Sequence, residues 1–451
     1  MHINKYSITR RSKEIEETRR RLESSQLNAV RELLPDSTIQ ALCEECNYYF
    51  RTRLLTPLVT IFHMIGAALS RDGSFQSSWH RAGECGRSDS LTKARKRLPL
   101  RVWERLTRWI VIRVEDEFPH DNLWRGHRLI GVDGTCISMS DEEDLEKAFG
   151  KCGTRKGISR FPLGRVVIAV ALNTMIIVSH RAGPYRKSET ALFCEILSEL
   201  SPGDVIVADR CYAGAKLYVE YMRKGVEFVT RAHRVLKVER LRKITVFSSD
   251  DFIAEMGVPV VYRRKDPTLP ETIKVRAIRT KATVRGRKET FWLITSLVDG
   301  KKYPVEEIRA LYKKRWAIEG LIKELKLWLG ADVLRSKSPE GIYKELHARI
   351  IASNLIHWLI VKAAYEHQRD AERISFTATV RLTASFSLKM SSAPSWKLPI
   401  LYRELLEKVA CSTVLGRPGR IEPRMRKRDV KHYGYLRISR SEWRMAKGIA
   451  A

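Results

Sequence analysis

Residues 127–140 read HRLIGVDGTCISMS. The segment is apolar and partly β-branched, with an Asp-Gly pair at 133–134, so it predicts strand, turn, strand. RVVIAVAL (165–172) and MIIVSHR (175–181) follow as two more strands, joined tightly through Asn173-Thr174. SETALFCEILSEL (188–200) reads as a helix with Ser188 as its N-cap. SPGDVIVADRCYAG (201–214) is a turn, a buried strand and a polar tip, and a further helix precedes the strand VEFVTRAH (226–233). Residues 235–300 look mainly β, with LKVERL, VPVVYRRK, TIKVRAIRT and ETFWLITSLV as strands between turns. The fold class is therefore α/β: three antiparallel strands, a helix, a fourth strand, a β-rich insertion, then helices.

Two acids stand where the backbone leaves a buried strand. Asp133 lies in LIGVDGT, and Asp209 follows the apolar run of DVIVADR. An acid ending a central strand is costly to desolvate unless something pairs with it. Hard divalent cations, which take oxygen ligands, supply that pairing. If strands one and four are neighbours, Asp133 and Asp209 converge. SDEED (140–144) is set apart as a helix start, because Ser140-x-x-Glu143 fits a capping box.

The third acid comes from LYKKRWAIEGLIKELKLWLG (311–330). On one continuous helix, Tyr312, Arg315, Glu319 and Lys326 share an arc of roughly 60°, beside a buried apolar stripe. Glu319 could complete a metal site with the two aspartates, as three acids serve two ions ~3.5–4 Å apart. Arg315 and Lys326 would hold DNA phosphates, and Tyr312 would donate a hydrogen bond to one. A solvated face, with Glu319 paired to Lys323, is the competing reading of the same helix.

LYKKRWAIEGLIKELK, with Tyr312, Arg315, Glu319 and Lys326 in the pattern Y-x2-R-x3-E-x6-K, resembles the signature of bacterial insertion-sequence transposases of the DDE class, IS4 type. VDGT and VADRCY are similar to the two Asp motifs of that family, in the expected order. GPYRKSE (183–189) and LRSKSPEG (334–341), which carries Arg335, also resemble it. The family's second Asp is commonly followed by Arg-Gly-Tyr, whereas Cys211 stands here at the middle place. The resemblance implies a ribonuclease-H-like core in which Asp133, Asp209 and Glu319 bind two Mg²⁺ ions, with Mn²⁺ able to substitute. Tyr312, Arg315, Lys326 and Arg335 would contact DNA phosphates. It further implies cleavage at terminal inverted repeats, strand transfer into target DNA and a homodimeric synaptic complex. Trp292, in TFWLITS, would stack on a flipped base if a hairpin forms.

The implied organisation is a helical DNA-binding domain at 1–120, core segments at 121–233 and 301–400 around an insertion at 234–300, and a basic tail at 401–451. The net charge of +31 points to a polyanionic partner. Lys93, Arg95, Lys96 and Arg97 form a basic segment suited to DNA. Residues 417–447 hold eleven Lys/Arg against three acids and read as a poorly ordered arm. No apolar run reaches the ~18–20 residues of a membrane span, and the N-terminus lacks a secretory h-region. Eight scattered cysteines, with a lone Cys43-x-x-Cys46, read as reduced thiols. Together these suggest a cytoplasmic, nucleoid-associated bacterial protein. Two other functions fit: a transposase-derived DNA-binding protein without cleavage activity, against which the intact acid triad argues, and a ribonuclease-H-like nuclease or resolvase. Inverted repeats flanking the gene would discriminate the latter.

Overall fold

The computed structural model describes residues 28–51, 54–70, 76, 78, 89–119, 123–154, 157–284, 287–414 and 440–448. Most of the basic tail thus lies outside the described residues. The chain is a mixed α/β structure around one large sheet. Its long strands are β1 (His127–Met139), β2 (Leu163–Ala171), β3 (Ile176–Pro184), β4 (Val205–Ala208), β5 (Glu227–Arg231), β6 (Arg242–Ser248), β7 (Asp251–Gly257), β8 (Thr272–Val284) and β9 (Arg287–Thr295). They lie in the order β3-β2-β1-β4-β5-β9-β8-β7-β6, with Leu123–Trp124 and Val333–Leu334 pairing β1 off this path. Strands β1, β2 and β3 are antiparallel neighbours, while β4 runs parallel to both β1 and β5. Strands one and four are therefore adjacent. The strands of 242–295 extend the same sheet through β9, which pairs β5.

The larger helices are α1 (Asp36–Glu45), α2 (Pro57–Ala68), α3 (Asp89–Arg97), α4 (Leu100–Glu117), α5 (Glu189–Leu197), α6 (Ala215–Lys224), α7 (Val305–Lys314), α8 (Trp316–Leu327), α9 (Pro339–Glu366), α10 (Phe376–Ser391) and α11 (Leu398–Cys411). Helix α9 is buried along most of its 28 residues, its charged Lys344, Glu345 and Arg349 included. It starts at Ser338, whose hydroxyl accepts from Gly341 N, with Pro339 in the first turn. Its Asn354 side chain exchanges two hydrogen bonds with Ile177 of β3, at 2.9 and 3.0 Å. That amide satisfies backbone groups at the sheet edge, which no further strand reaches among the described residues. One buried cluster joins α1, α2 and α4 to α9 and one sheet face; a second lies opposite, around α5, α6 and the strands from β7 to β9.

Four local expectations are corrected. β1 runs unbroken through Asp133-Gly134, with Asp133 opposite Ile168 and Gly134 opposite Val167, so no turn forms there. Val260–Lys265 is a short helix opened by Pro259, not a strand; it buries none of its side chains, so its β-branched residues gain no packing from a sheet. In LKVERL, Val238–Arg240 is a single 3-10 turn before β6 begins. The helix after SDEED spans Glu143–Phe149 with Glu142 at its N-cap and no capping side-chain bond, so Ser140 does not form the box.

Candidate active site

The crevice follows from register. Along β1 and β4 the pairs are Leu129–Val205, Ile130–Ile206, Gly131–Val207 and Val132–Ala208, where β4 ends. The next step places Asp133 beside Asp209. The carboxyl end of parallel strands, where one stops and its neighbour continues, is where open α/β sheets leave a crevice. Asp209 turns the chain there: its Oδ1 accepts from Cys211 N at 2.7 Å and caps the 3-10 turn Arg210–Tyr212. Asp133 Oδ1 accepts from Gly134 N at 2.8 Å.

Burial, aided by Asp209 and Glu189 and opposed by the Gly134 N–H and Arg315, pushes the Asp133 carboxyl up to about 6. Burial, with Glu189 and Asp209 close by, likewise lifts the Cys211 thiol to about 11, so it stays protonated at neutral pH. The donors at the crevice are thus carboxylate oxygens, the set that suits a hard divalent ion.

Helix α8 packs over β1 because Gly131 has no side chain. A Cβ at 131 would lie 2.4 Å from Ile318 Cδ1 and 2.5 Å from Leu172 Cδ2. Ile318 is wholly buried and Glu319 follows it on the exposed side. We expect Gly131→Val to force α8 off the strand, costing roughly 1–3 kcal/mol in a thermal melt. Cleavage per folded molecule should fall as well; an unchanged melting temperature would refute this packing account.

The expected single helix is two. Its ladder tightens at Arg315: Arg315 N bonds Tyr312 O at 3.2 Å and Ile318 N bonds Arg315 O at 3.1 Å. Helix α7 ends there and α8 begins. What changes is the exposure of the row, since the Tyr312 side chain still meets Arg315. Tyr312 is buried in the core, edge-on to Phe291 at 5.8 Å, and does not stand in an exposed row. Arg315 is 11% exposed and donates to Glu319 at 3.1 Å, and its guanidinium lies 5.1 Å from the Trp316 ring centre. Its Nε is buried without a hydrogen-bond partner. The acid thus pairs with Arg315, not Lys323. Lys326 sits 3.6 Å from Asp332; burial raises the pKa of the Cys136 thiol on β1, and Lys326 is close enough to oppose that rise in part. Among the described residues, no three His, Cys, Asp or Glu side chains already surround one point. Asp133 and Asp209 are brought together, while Glu319 stands nearby, held by Arg315.

The remaining candidates are dispersed. Arg335 is exposed, with its backbone N–H on the Glu345 carboxylate at 3.1 Å. Trp292 is half-buried in β9, donates to Glu239 at 2.8 Å and packs edge-on against Phe252. Lys93, Lys96 and Arg97 are exposed on α3. Arg95 does not share that face: it turns inward to Ser336 Oγ at 3.1 Å, and burial lowers its pKa beside Glu345 and Arg349. Buried Lys344 donates to the carbonyls of Arg95 and Lys96, fixing the end of α3. The sequence reading missed Glu189, which meets the crevice from the start of α5.

Paired aspartates where β4 ends beside the continuing β1, with a glutamate on the helix packed over β1, make an acidic crevice of the kind that suits metal-assisted chemistry. Residues 124–355 match the transposase DDE domain family model, over half of the chain, and the chain belongs to that family. It is 22% identical over 384 residues to the transposase InsG for insertion sequence element IS4 of Escherichia coli (strain K12), covering 82% of this chain and 85% of that one. It is 30% identical over 160 residues to the putative transposase y4zB of Sinorhizobium fredii (strain NBRC 101917 / NGR234), covering 35% of this chain and 43% of that protein. A cryo-EM structure of a piggyBac transposase synaptic complex with hairpin DNA aligns over 87% of this chain and 86% of its own at 10% identity, with a TM-score of 0.42. The protein is a DNA transposase of insertion-sequence type, whose family cleaves and joins DNA with divalent metal ions. Among the described residues, no helix is long and apolar enough to cross a membrane.

Proposed function

We propose that the chain carries a ribonuclease-H-like core that cuts DNA at the terminal inverted repeats of an insertion sequence and joins the ends to target DNA. Asp133, Asp209 and Glu319 serve as its metal-holding acids. The observation that carries this is the β1–β4 register, which ends at Val132–Ala208 and sets the two aspartates side by side. Two Mg²⁺ ions, with Mn²⁺ as substitute, would supply Lewis-acid activation of the attacking oxygen and stabilisation of the leaving one. The chain's own work is placement. The end of β4 and the neighbouring stretch of β1 present Asp133 and Asp209 towards the scissile phosphate, and Glu319 exchanges Arg315 for the centre when DNA arrives. Arg315, with its buried unpartnered Nε, and Lys326 then hold phosphates. Tyr312 positions Arg315 from beneath, at 6.0 Å from the guanidinium to its ring centre. The active species is a homodimer bridging two ends, at the nucleoid in the bacterial cytoplasm, with 1–120 and the basic tail binding DNA.

The test is purified protein with its flanking terminal repeats, plasmid target and Mg²⁺. Free ends and joined products should form, and neither should form in chelator. Binding without either product would instead support a DNA-binding role alone, and cleavage of ends without joining a nuclease.

The basic helix yields a separate expectation. Replacing Lys93, Lys96 and Arg97 with Ala should lower the slope of log affinity against log salt by ~0.9 for each phosphate left without its cation. Arg95→Ala should instead lower the melting temperature, since Arg95 ties α3 to the Ser336–Glu345 network. An unchanged slope in the triple variant would remove this helix from the DNA surface.

A further inference from the structure

A further carboxylate, Glu189, stands close enough to the crevice to act on the Asp133 carboxyl. Glu189 opens α5 directly after Ser188, whose hydroxyl caps the helix by accepting from Ala191 N. Its carboxylate lies against the bare backbone of Gly134. A Cβ there would sit 2.5 Å from Glu189 Cδ and 2.7 Å from Oε2. The next residue of β1 after the first aspartate is thus a glycine whose open space is filled by another acid. The opposing cation is distant for a hydrogen bond, with Arg165 Nη1 3.7 Å from Oε1. Cys211 Sγ, two residues after the second aspartate, is 3.9 Å from Oε2.

A second observation lies beside these acids. The Tyr212 side chain is wholly buried and its hydroxyl has no hydrogen-bond partner. Its ring packs edge-on against Phe193, one turn along α5 from Glu189, with ring centres 5.3 Å apart. The acids acting on that hydroxyl are Glu189, Asp133 and Asp209, in that order. A buried phenol left unpaired beside three carboxylates is costly, and so is gathering those acids with so little positive charge.

We propose that Glu189 is a fourth metal-binding carboxylate of the catalytic centre, acting with Asp133 and Asp209, and that the Tyr212 hydroxyl donates a hydrogen bond to the same oxygen cluster. This rests on the reading that Asp133 and Asp209 hold the ion. When metal binds the DNA-free protein, Glu189 closes on Asp133 and Asp209 while Glu319 is still paired with Arg315.

The probe is Mn²⁺ alone, titrated into the full chain without DNA and followed by loss of the free-ion paramagnetic signal, with melts in chelator to confirm folding. Glu189→Gln should weaken Mn²⁺ binding about 10–100-fold, the range typical of perturbing a metal site's supporting groups. Glu319→Gln should weaken it far less. Gly134→Ala keeps the acid but displaces it, and should weaken binding in the same direction even if Glu189→Gln fails to fold. Wild-type Mn²⁺ binding in Glu189→Gln and Gly134→Ala, with loss in Asp133→Asn, would overturn this inference and leave the two-aspartate reading standing. A change only in melting temperature would likewise reduce Glu189 to a structural partner of Arg165. Wild-type binding in Asp133→Asn and Asp209→Asn would overturn both.

Discussion

Asp133→Asn abolishes DNA cleavage, by on the order of 10³-fold or more, and at the same time raises the melting temperature of the metal-free protein. Both effects have one origin. The site gathers carboxylates in a partly desolvated crevice, and Asp133 is pushed up to about 6 by burial and by Asp209 and Glu189. Removing a metal-holding oxygen forfeits several kcal/mol of transition-state stabilisation. The stability effect has a definite sign. A carboxyl whose folded pKa lies above its unfolded value of about 3.9 binds its proton more tightly in the folded state. Stability is then lost as pH rises from about 4 through about 6, and the full cost stands at neutral pH. Asn carries no such proton, so it relieves on the order of 1–3 kcal/mol at pH 7 and nothing below pH 4. Melts from pH 4 to 8 in chelator, with cleavage and end-binding assays at pH 7.5, check both halves. A variant that cuts at the wild-type rate removes Asp133 from the centre. One that is inactive but no more stable at pH 7 contradicts the electrostatic account.

Asp251→Ala destabilises the chain by about 3–5 kcal/mol, the cost of stranding a buried charge. Arg276 on β8 is 2% exposed and Asp251 on β7 is 7% exposed. The guanidinium donates to both carboxylate oxygens, at 2.7 and 2.6 Å, and to the Tyr303 carbonyl at 2.7 Å. Tyr303 in turn bonds His127 Nε2 at 2.7 Å, and His127 Nδ1 meets the Gly203 carbonyl at 2.8 Å. A neutral imidazole must place its proton on Nδ1 to donate to that carbonyl, leaving Nε2 to accept from the phenol. These bonds run from the strands of 242–295 to the start of β1, so the loss is global. The double variant Asp251→Ala/Arg276→Met should regain much of it, because no buried charge is left behind. Urea melts of the two variants decide this. A double variant less stable than Asp251→Ala would mean that Arg276 acts chiefly through Tyr303.

The two aspartates were legible because their surroundings are: an acid directly after a run of buried apolar residues has no cheap structural explanation. Their adjacency also followed once strands one and four were placed side by side. Glu319 was singled out by its spacing from Tyr312, Arg315 and Lys326, but the exposure of that row was not legible. Every residue from 311 to 330 but Gly320 and Gly330 tolerates a helix, so nothing local marks the tightening at Arg315. Tyr312 falls beside the charges on an ideal helix, but it shares the buried side of α7 with Ile308 and Leu311. Arg95 illustrates the same limit, since a basic run looks uniformly solvated until α9 supplies Ser336 and Glu345 as partners. Glu189 was hidden for a different reason. An acid in the first turn of a helix after a serine cap is favoured by the helix dipole alone. Its signal was topological: the helix after the third strand begins at the sheet end that carries the strand-end acids, and Gly134 leaves room for its side chain.

The central claim is that the divalent ions sit where β4 ends beside Asp133 of the continuing strand β1. Exchanging Mg²⁺ for Fe²⁺ and adding ascorbate and peroxide generates hydroxyl radicals where the metal is held, and these cut the nearby backbone. On the protein with bound end DNA, this account predicts cuts beside Asp133, Asp209 and Glu319, all lost in Asp209→Asn. Cuts confined to other segments, or an unchanged pattern in Asp209→Asn, would contradict it.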